Sequence, residues 1–139
     1  TLSYGYGLSV TTLQLAQAYA TIGALGVRRP VSLLRLDERP AGERALSANS
    51  ARMLIDMMET VVTDEGTGGR AAVPGYRVAG KTGTTNDRRD SWFVGYTRDR
   101  LAVAWVGLDD NRPAGVTGSN AAMRGHNRAV RPVAPSPQG

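Results

Sequence analysis

A single lysine, Lys81, stands in this 139-residue chain against 16 arginines, and it opens the run Lys81-Thr82-Gly83-Thr84-Thr85. A compact ammonium on a flexible stem can change hydrogen-bond partners in ways that a planar guanidinium cannot. The four residues after it supply three hydroxyls and one position without a side chain. Such a set suits holding a carboxylate, with a nearby backbone N–H facing an oxyanion that develops during acyl transfer.

Two settings for these residues compete. Gly75 to Thr82 spells G-x-x-x-x-G-K-[ST], the phosphate-cradling loop of nucleotide-binding proteins. That chemistry needs a strand before the first glycine and a helix starting at the lysine, so that free N–H groups meet the phosphates. Pro74 precedes Gly75, and the residues after Lys81 are β-branched and glycine-broken, so the nucleotide reading is the weaker. In the other setting the run is itself a strand. Period two then puts Lys81 and Gly83 on one face and Thr82 and Thr84 on the other. Gly83 leaves room for another backbone, and an edge strand can pair with an extended peptide. Lysine and threonines diverge in an ideal pleat, so a site using both calls for a local twist or bulge.

The surrounding elements predict an α+β fold with an antiparallel sheet flanked by helices. Thr11 or Ser9 caps a first helix, with Leu13, Ala16 and Ala20 at helical spacing and Gly23 and Gly26 ending it. Its small residues predict a buried, tightly packed helix. Pro30 to Asp37 reads as a short strand or extended segment, and 39–43 as a turn. Ser47 caps a second helix over 47–62, with Met53, Leu54, Met57, Met58 and Val61 on its apolar face. A flexible glycine-rich loop follows at 64–69. Strands are expected over 76–85, 91–97 and 101–107, and their short connections make them antiparallel neighbours. Residues 117–123 begin like a helix capped by Thr117 or Ser119, and 124–139, rich in arginine and proline, read as a disordered tail.

Composition excludes several functions. There is no cysteine and one histidine, His126, so neither a disulfide nor a histidine or thiolate metal cluster is available. Residues 1–123 hold 14 of the basic groups and all 12 acidic ones, so the net charge of +5 is mostly a property of the tail. No basic patch interleaved with aromatics points to nucleic acid. The chain begins at Thr1 without methionine, which is expected of a piece of something longer.

The lysine run and its flanks resemble a known family. Gly80 to Asp87, then Asp90 to Tyr96, then Ala104 to Asp110 are similar to the bifunctional class A penicillin-binding proteins. Ser3 to Leu8, Leu13 to Ala16 and Tyr19 to Gly23 resemble the transpeptidase domain of class B members, especially the division-specific enzyme. The likeness runs from Tyr4 to Met123, so residues 1–123 are expected to be the C-terminal portion of a transpeptidase domain. Lys81-Thr82-Gly83 resembles the third signature motif of that family.

The resemblance implies roles by position. Lys81 and Thr84 would be catalytic, Lys81 setting the electrostatics around a serine nucleophile and the Thr84 N–H forming half of an oxyanion hole. Thr82, Gly83 and Thr84 would bind substrate, the two hydroxyls holding the terminal carboxylate of a D-Ala-D-Ala stem peptide or of a β-lactam. It implies no cofactor, the remainder of a parent polypeptide as partner, and a place on the extracytoplasmic face of the inner membrane, anchored by a segment outside this chain. The family's S-x-x-K is absent, because Lys81 is the sole lysine. Ser47-Ala48-Asn49 spells S-x-N, but its position as a helix cap deprives it of a catalytic role. The chain alone is therefore expected to be inactive. The alternatives are a non-catalytic truncated module and, more remotely, the nucleotide loop at Gly75 to Thr82. Replacement of the family's last helix by the tail is expected to leave one sheet face under-covered.

Overall fold

The β-branched and aromatic runs of the second half form one three-stranded antiparallel sheet in the computed structural model of the chain, which describes residues 8–110, 112–118 and 120. The elements in order are α1 (Thr12–Gly23), β1 (Val27–Arg28), β2 (Glu43–Arg44), α2 (Ala48–Val61), β3 (Ala79–Thr84), β4 (Asp90–Tyr96) and β5 (Leu101–Gly107). This is the α+β arrangement that the sequence predicts. Two units, Thr1–Leu54 and Ile55–Gly139, divide the chain inside α2. The tail at 124–139 and the opening loop at Ser3 to Gly7 lie outside the described residues.

In the first unit, Thr11 starts α1 with a capping box. Its hydroxyl accepts from the Gln14 N–H at 3.1 Å, and the Gln14 side chain accepts from the Thr11 N–H at 2.9 Å. Thr11→Ala is expected to cost the helix about 1 kcal/mol, read as faster hydrogen exchange of its first-turn amides, with Thr11→Ser restoring them. Leu25 and Gly26 end the helix with φ of 54° and 87°. Gly26 then meets the backbone of Leu46 and accepts from the N–H groups of Ala45 and Leu46, beside the two-residue ladder of β1 and β2.

One expectation for this unit fails and another is narrowed. The described part of α1 buries only Thr21, whose hydroxyl donates to the Gln17 carbonyl, while Leu13 stays 52% exposed. A two-residue ladder is too small to cover a helix. Of the two forms expected for 30–37, a short strand or an extended segment, the strand does not form: the Ser32 hydroxyl both donates to the Leu34 carbonyl and accepts from the Leu34 N–H. Such local side-chain bonds offer the backbone an alternative to a ladder.

Ser47 caps α2 as predicted, accepting from the Ser50 N–H at 3.0 Å. The buried stripe differs from the predicted one. Ala51, Met58 and Val62 are buried, seven and then four residues apart, whereas Met53 and Met57 are more than half exposed. The apolar face is thus rotated away from those two methionines.

The second unit is centred on Phe93. Its ring is fully buried with Val62, Ala71 and Val78, and Val73 and Ala104 pack against them. Burial of one such side chain is worth about 1.5–3 kcal/mol. The loop at 64–69, read from its glycines as flexible, is a chain of turns. Gly66 N–H donates to Thr63, Gly68 N–H to Val61, and Ala71 N–H to Gly68. The Gly68 bond satisfies a carbonyl at the end of α2. On the other sheet face Trp92 and Trp105 lie tilted with ring centres 6.2 Å apart, and Trp105 remains 45% exposed.

Candidate functional site

Position in the ladder decides which residues of β3 can act together. β3 pairs with β4 one to one from Ala79↔Tyr96 to Thr84↔Ser91. Directly opposed residues share a face, so Thr82 and Thr84 lie on the Phe93 side with Ser91. Lys81 and Gly83 lie on the other with Val94 and Trp92. The register is one to one, so no bulge in the β3–β4 ladder brings lysine and threonines together. Among the described residues β3 has β4 on one side and no strand on the other, so its outer edge is open.

The start of β3 is pressed onto the core. A Cβ on Gly80 would come within 2.7 Å of the Phe93 ring and 2.9 Å of the Val94 carbonyl. Only glycine lets the strand lie this low. Lys81 then emerges exposed, and its Nζ donates to the Thr82 carbonyl oxygen at 2.6 Å, so the ammonium curls along its own strand.

Each hydroxyl has its own partner. Thr82 Oγ1 lies 3.0 Å from Thr67 Oγ1, on the glycine loop after α2. Thr84 Oγ1 accepts a long hydrogen bond, 3.4 Å, from the Gly118 N–H. Thr85 is structural: it accepts from the Asp90 N–H at 2.8 Å and closes the β3–β4 connection. Asp87 and Arg88 in that connection hold φ of 60° and 54°, a left-handed pair without glycine.

Residues 114–118 cross the threonine face of the sheet. The Ala114 N–H donates to Arg88, and the Ser91 hydroxyl donates to the Val116 carbonyl at 2.6 Å. A Cβ on Gly118 would stand 2.5 Å from the Trp92 carbonyl oxygen and 2.8 Å from that of Gly83, so this backbone rests directly on two strands. Ser91, fully buried with its proton committed, is unsuited to nucleophilic attack.

Gly75 sits in a turn with φ of 82°, and Lys81 is the third residue of a strand. No helix begins at the lysine, so the phosphate-loop geometry is missing. The sequence reading passed over Thr67. Its one signal was a hydroxyl framed by glycines, Gly66-Thr67-Gly68, in a stretch read only for its freedom.

Comparison with known proteins decides the family. A model of the penicillin-binding protein transpeptidase domain matches residues 1–128. The chain belongs to that family. Peptidoglycan D,D-transpeptidase FtsI of Escherichia coli strain K12 is 50% identical over 102 residues, covering 70% of this chain and 17% of its own length. Penicillin-binding protein 1B of the same strain is 36% identical over 142 residues, covering 94% of this chain and again 17% of its own. The apo transpeptidase domain of Burkholderia pseudomallei penicillin-binding protein 3 superposes with a TM-score of 0.72 at 34% identity, over 93% of this chain and 42% of that one. The α+β fold is thus that of penicillin-binding transpeptidase domains. Both classes named in the sequence analysis are among the relatives, and the chain spans a small part of each.

Proposed function

We propose that this chain supplies the substrate-binding strand of a serine D,D-transpeptidase, which cross-links peptidoglycan stem peptides and is acylated by penicillin. The observation that carries the reading is the open edge of β3, with the Thr82 and Thr84 hydroxyls on one face and the Lys81 ammonium at the same strand. An extended stem peptide would add to that edge by backbone pairing. The two hydroxyls would donate to its terminal carboxylate, which can only accept.

The nucleophile comes from outside this chain, since S-x-x-K is not in it. A serine attacks the carbonyl of the D-Ala-D-Ala bond and gives up its proton to a neighbouring base. The Thr84 N–H faces the oxyanion, and Lys81 contributes positive charge where negative charge develops. Collapse breaks the peptide bond, the terminal D-Ala leaves as the protonated amine, and an amine of a second stem peptide takes the acyl group from the serine. A β-lactam enters the same path but keeps its leaving group tethered.

The parent polypeptide would work at the extracytoplasmic face of the inner membrane, in cell-wall synthesis tied to division if the likeness to FtsI extends that far. None of the helices among the described residues is long and apolar enough to cross a membrane. The isolated chain is a non-catalytic module on this reading. Incubated with fluorescent penicillin, the 139-residue chain is expected to take no covalent label, whereas the polypeptide carrying the serine labels. A label on the isolated chain, stable to denaturation, would place the nucleophile inside it and overturn the assignment.

A further inference from the structure

We propose that Thr67 is a positioning residue, whose hydroxyl donates to Thr82 and so turns the Thr82 proton toward the substrate carboxylate. This rests on the carboxylate-binding role proposed for β3. A hydroxyl has one proton, and a carboxylate only accepts. The Thr67 and Thr82 oxygens are 3.0 Å apart, and either can donate. Thr82 can give its proton to a bound anion only while Thr67 is the donor of the pair. Anion binding therefore fixes the direction of the Thr67–Thr82 bond, and a bond donated to Thr82 polarises its O–H and strengthens the one it gives.

Thr84 repeats the arrangement with a donor that cannot reverse. The Gly118 N–H donates to Thr84 Oγ1, which leaves that proton free for a ligand. Each hydroxyl of the strand thus has a partner from another segment on its accepting side. The two segments are tied together, because Arg70 donates to Asn120 Oδ1 at 2.6 Å. The loop holding Thr67 is itself anchored on α2 by the Gly68 N–H to the Val61 carbonyl at 2.8 Å. The hydroxyl is therefore held in place and does not need to be ordered when a ligand arrives.

The test uses the full polypeptide that carries the serine, with acylation rate constants for a penicillin and for its methyl ester, which lacks the anionic group. Thr67→Val is expected to slow acylation by the penicillin on the order of tenfold, the scale of a hydrogen bond to a charged group, and to leave the ester nearly unchanged. Thr67→Ser is expected to keep the wild-type rates. In a Thr82→Val background, Thr67→Val is expected to add nothing. If Thr67→Val does not fold, Thr67→Ala is read by the same measurements. An equal loss for acid and ester, no loss for either, or a full additional loss beside Thr82→Val would overturn the proposal and leave Thr67 as a clasp between loop and strand. Failure of the underlying reading shows differently: Thr82→Val alone would then not distinguish acid from ester.

Discussion

Lys81→Ala, made in the polypeptide that carries the catalytic serine, is expected to abolish covalent labelling by fluorescent penicillin. A fixed positive group facing the charge that develops in acyl transfer is worth on the order of 10²–10³ in rate. Lys81 is exposed, and its Nζ rests on the carbonyl oxygen of the next residue. That is a weak hold, readily exchanged for a serine oxygen brought near the open edge. Lys81→Arg is expected not to restore labelling, because a rigid planar fork cannot follow the same short path. Labelling by Lys81→Ala at the wild-type rate would remove the lysine from the chemistry. The thermal midpoint should barely change, since an exposed side chain with one bond to its own strand contributes little to stability.

Phe93→Ala carries the largest expected loss of stability, about 3–5 kcal/mol for removing a fully buried aromatic ring. Against a typical total of about 5–15 kcal/mol for a domain, this removes a large share of the stability. The ring lies under Gly80 and near Gly68, and it forms one cluster with Val62, Ala71 and Val78. Its loss therefore loosens α2, the glycine loop and the strand together. Urea unfolding of the polypeptide, followed by tryptophan fluorescence from Trp92 and Trp105, measures it. A loss below about 0.5 kcal/mol, the scale of an ordinary surface change, would show that the core is centred elsewhere.

Strands β3 to β5 were legible because β-branched and aromatic residues fill them and their connections are short. Period two alone placed Thr82 and Thr84 on one face, where the register has them. Helix α2 was legible from the Ser47 cap, but its buried stripe was not. Met53 and Met57 fit an apolar helical face as well as Ala51 does, and only packing selects among them. Residues 30–37 misled because Val31, Leu33, Leu34 and Leu36 look like a strand, while the Ser32 hydroxyl captures the backbone first. The partners of the site hydroxyls were the least visible. The Thr67–Thr82 bond spans 15 residues and the Gly118–Thr84 bond 34, and such pairings leave no local period. Gly118 in sequence is one glycine among 17; in the fold it is where one backbone lies across two others.

Thr82 sits opposite Phe93 in the ladder and on the same side of the sheet. The surface that would read a substrate and the surface that holds the domain together are therefore a single layer. Val62, Ala71 and Val78 pack with Phe93, so a change among them is transmitted to the strand that carries the hydroxyls. On the function proposed above, repacking beneath the strand is a route to altered β-lactam acylation through residues outside the carboxylate site.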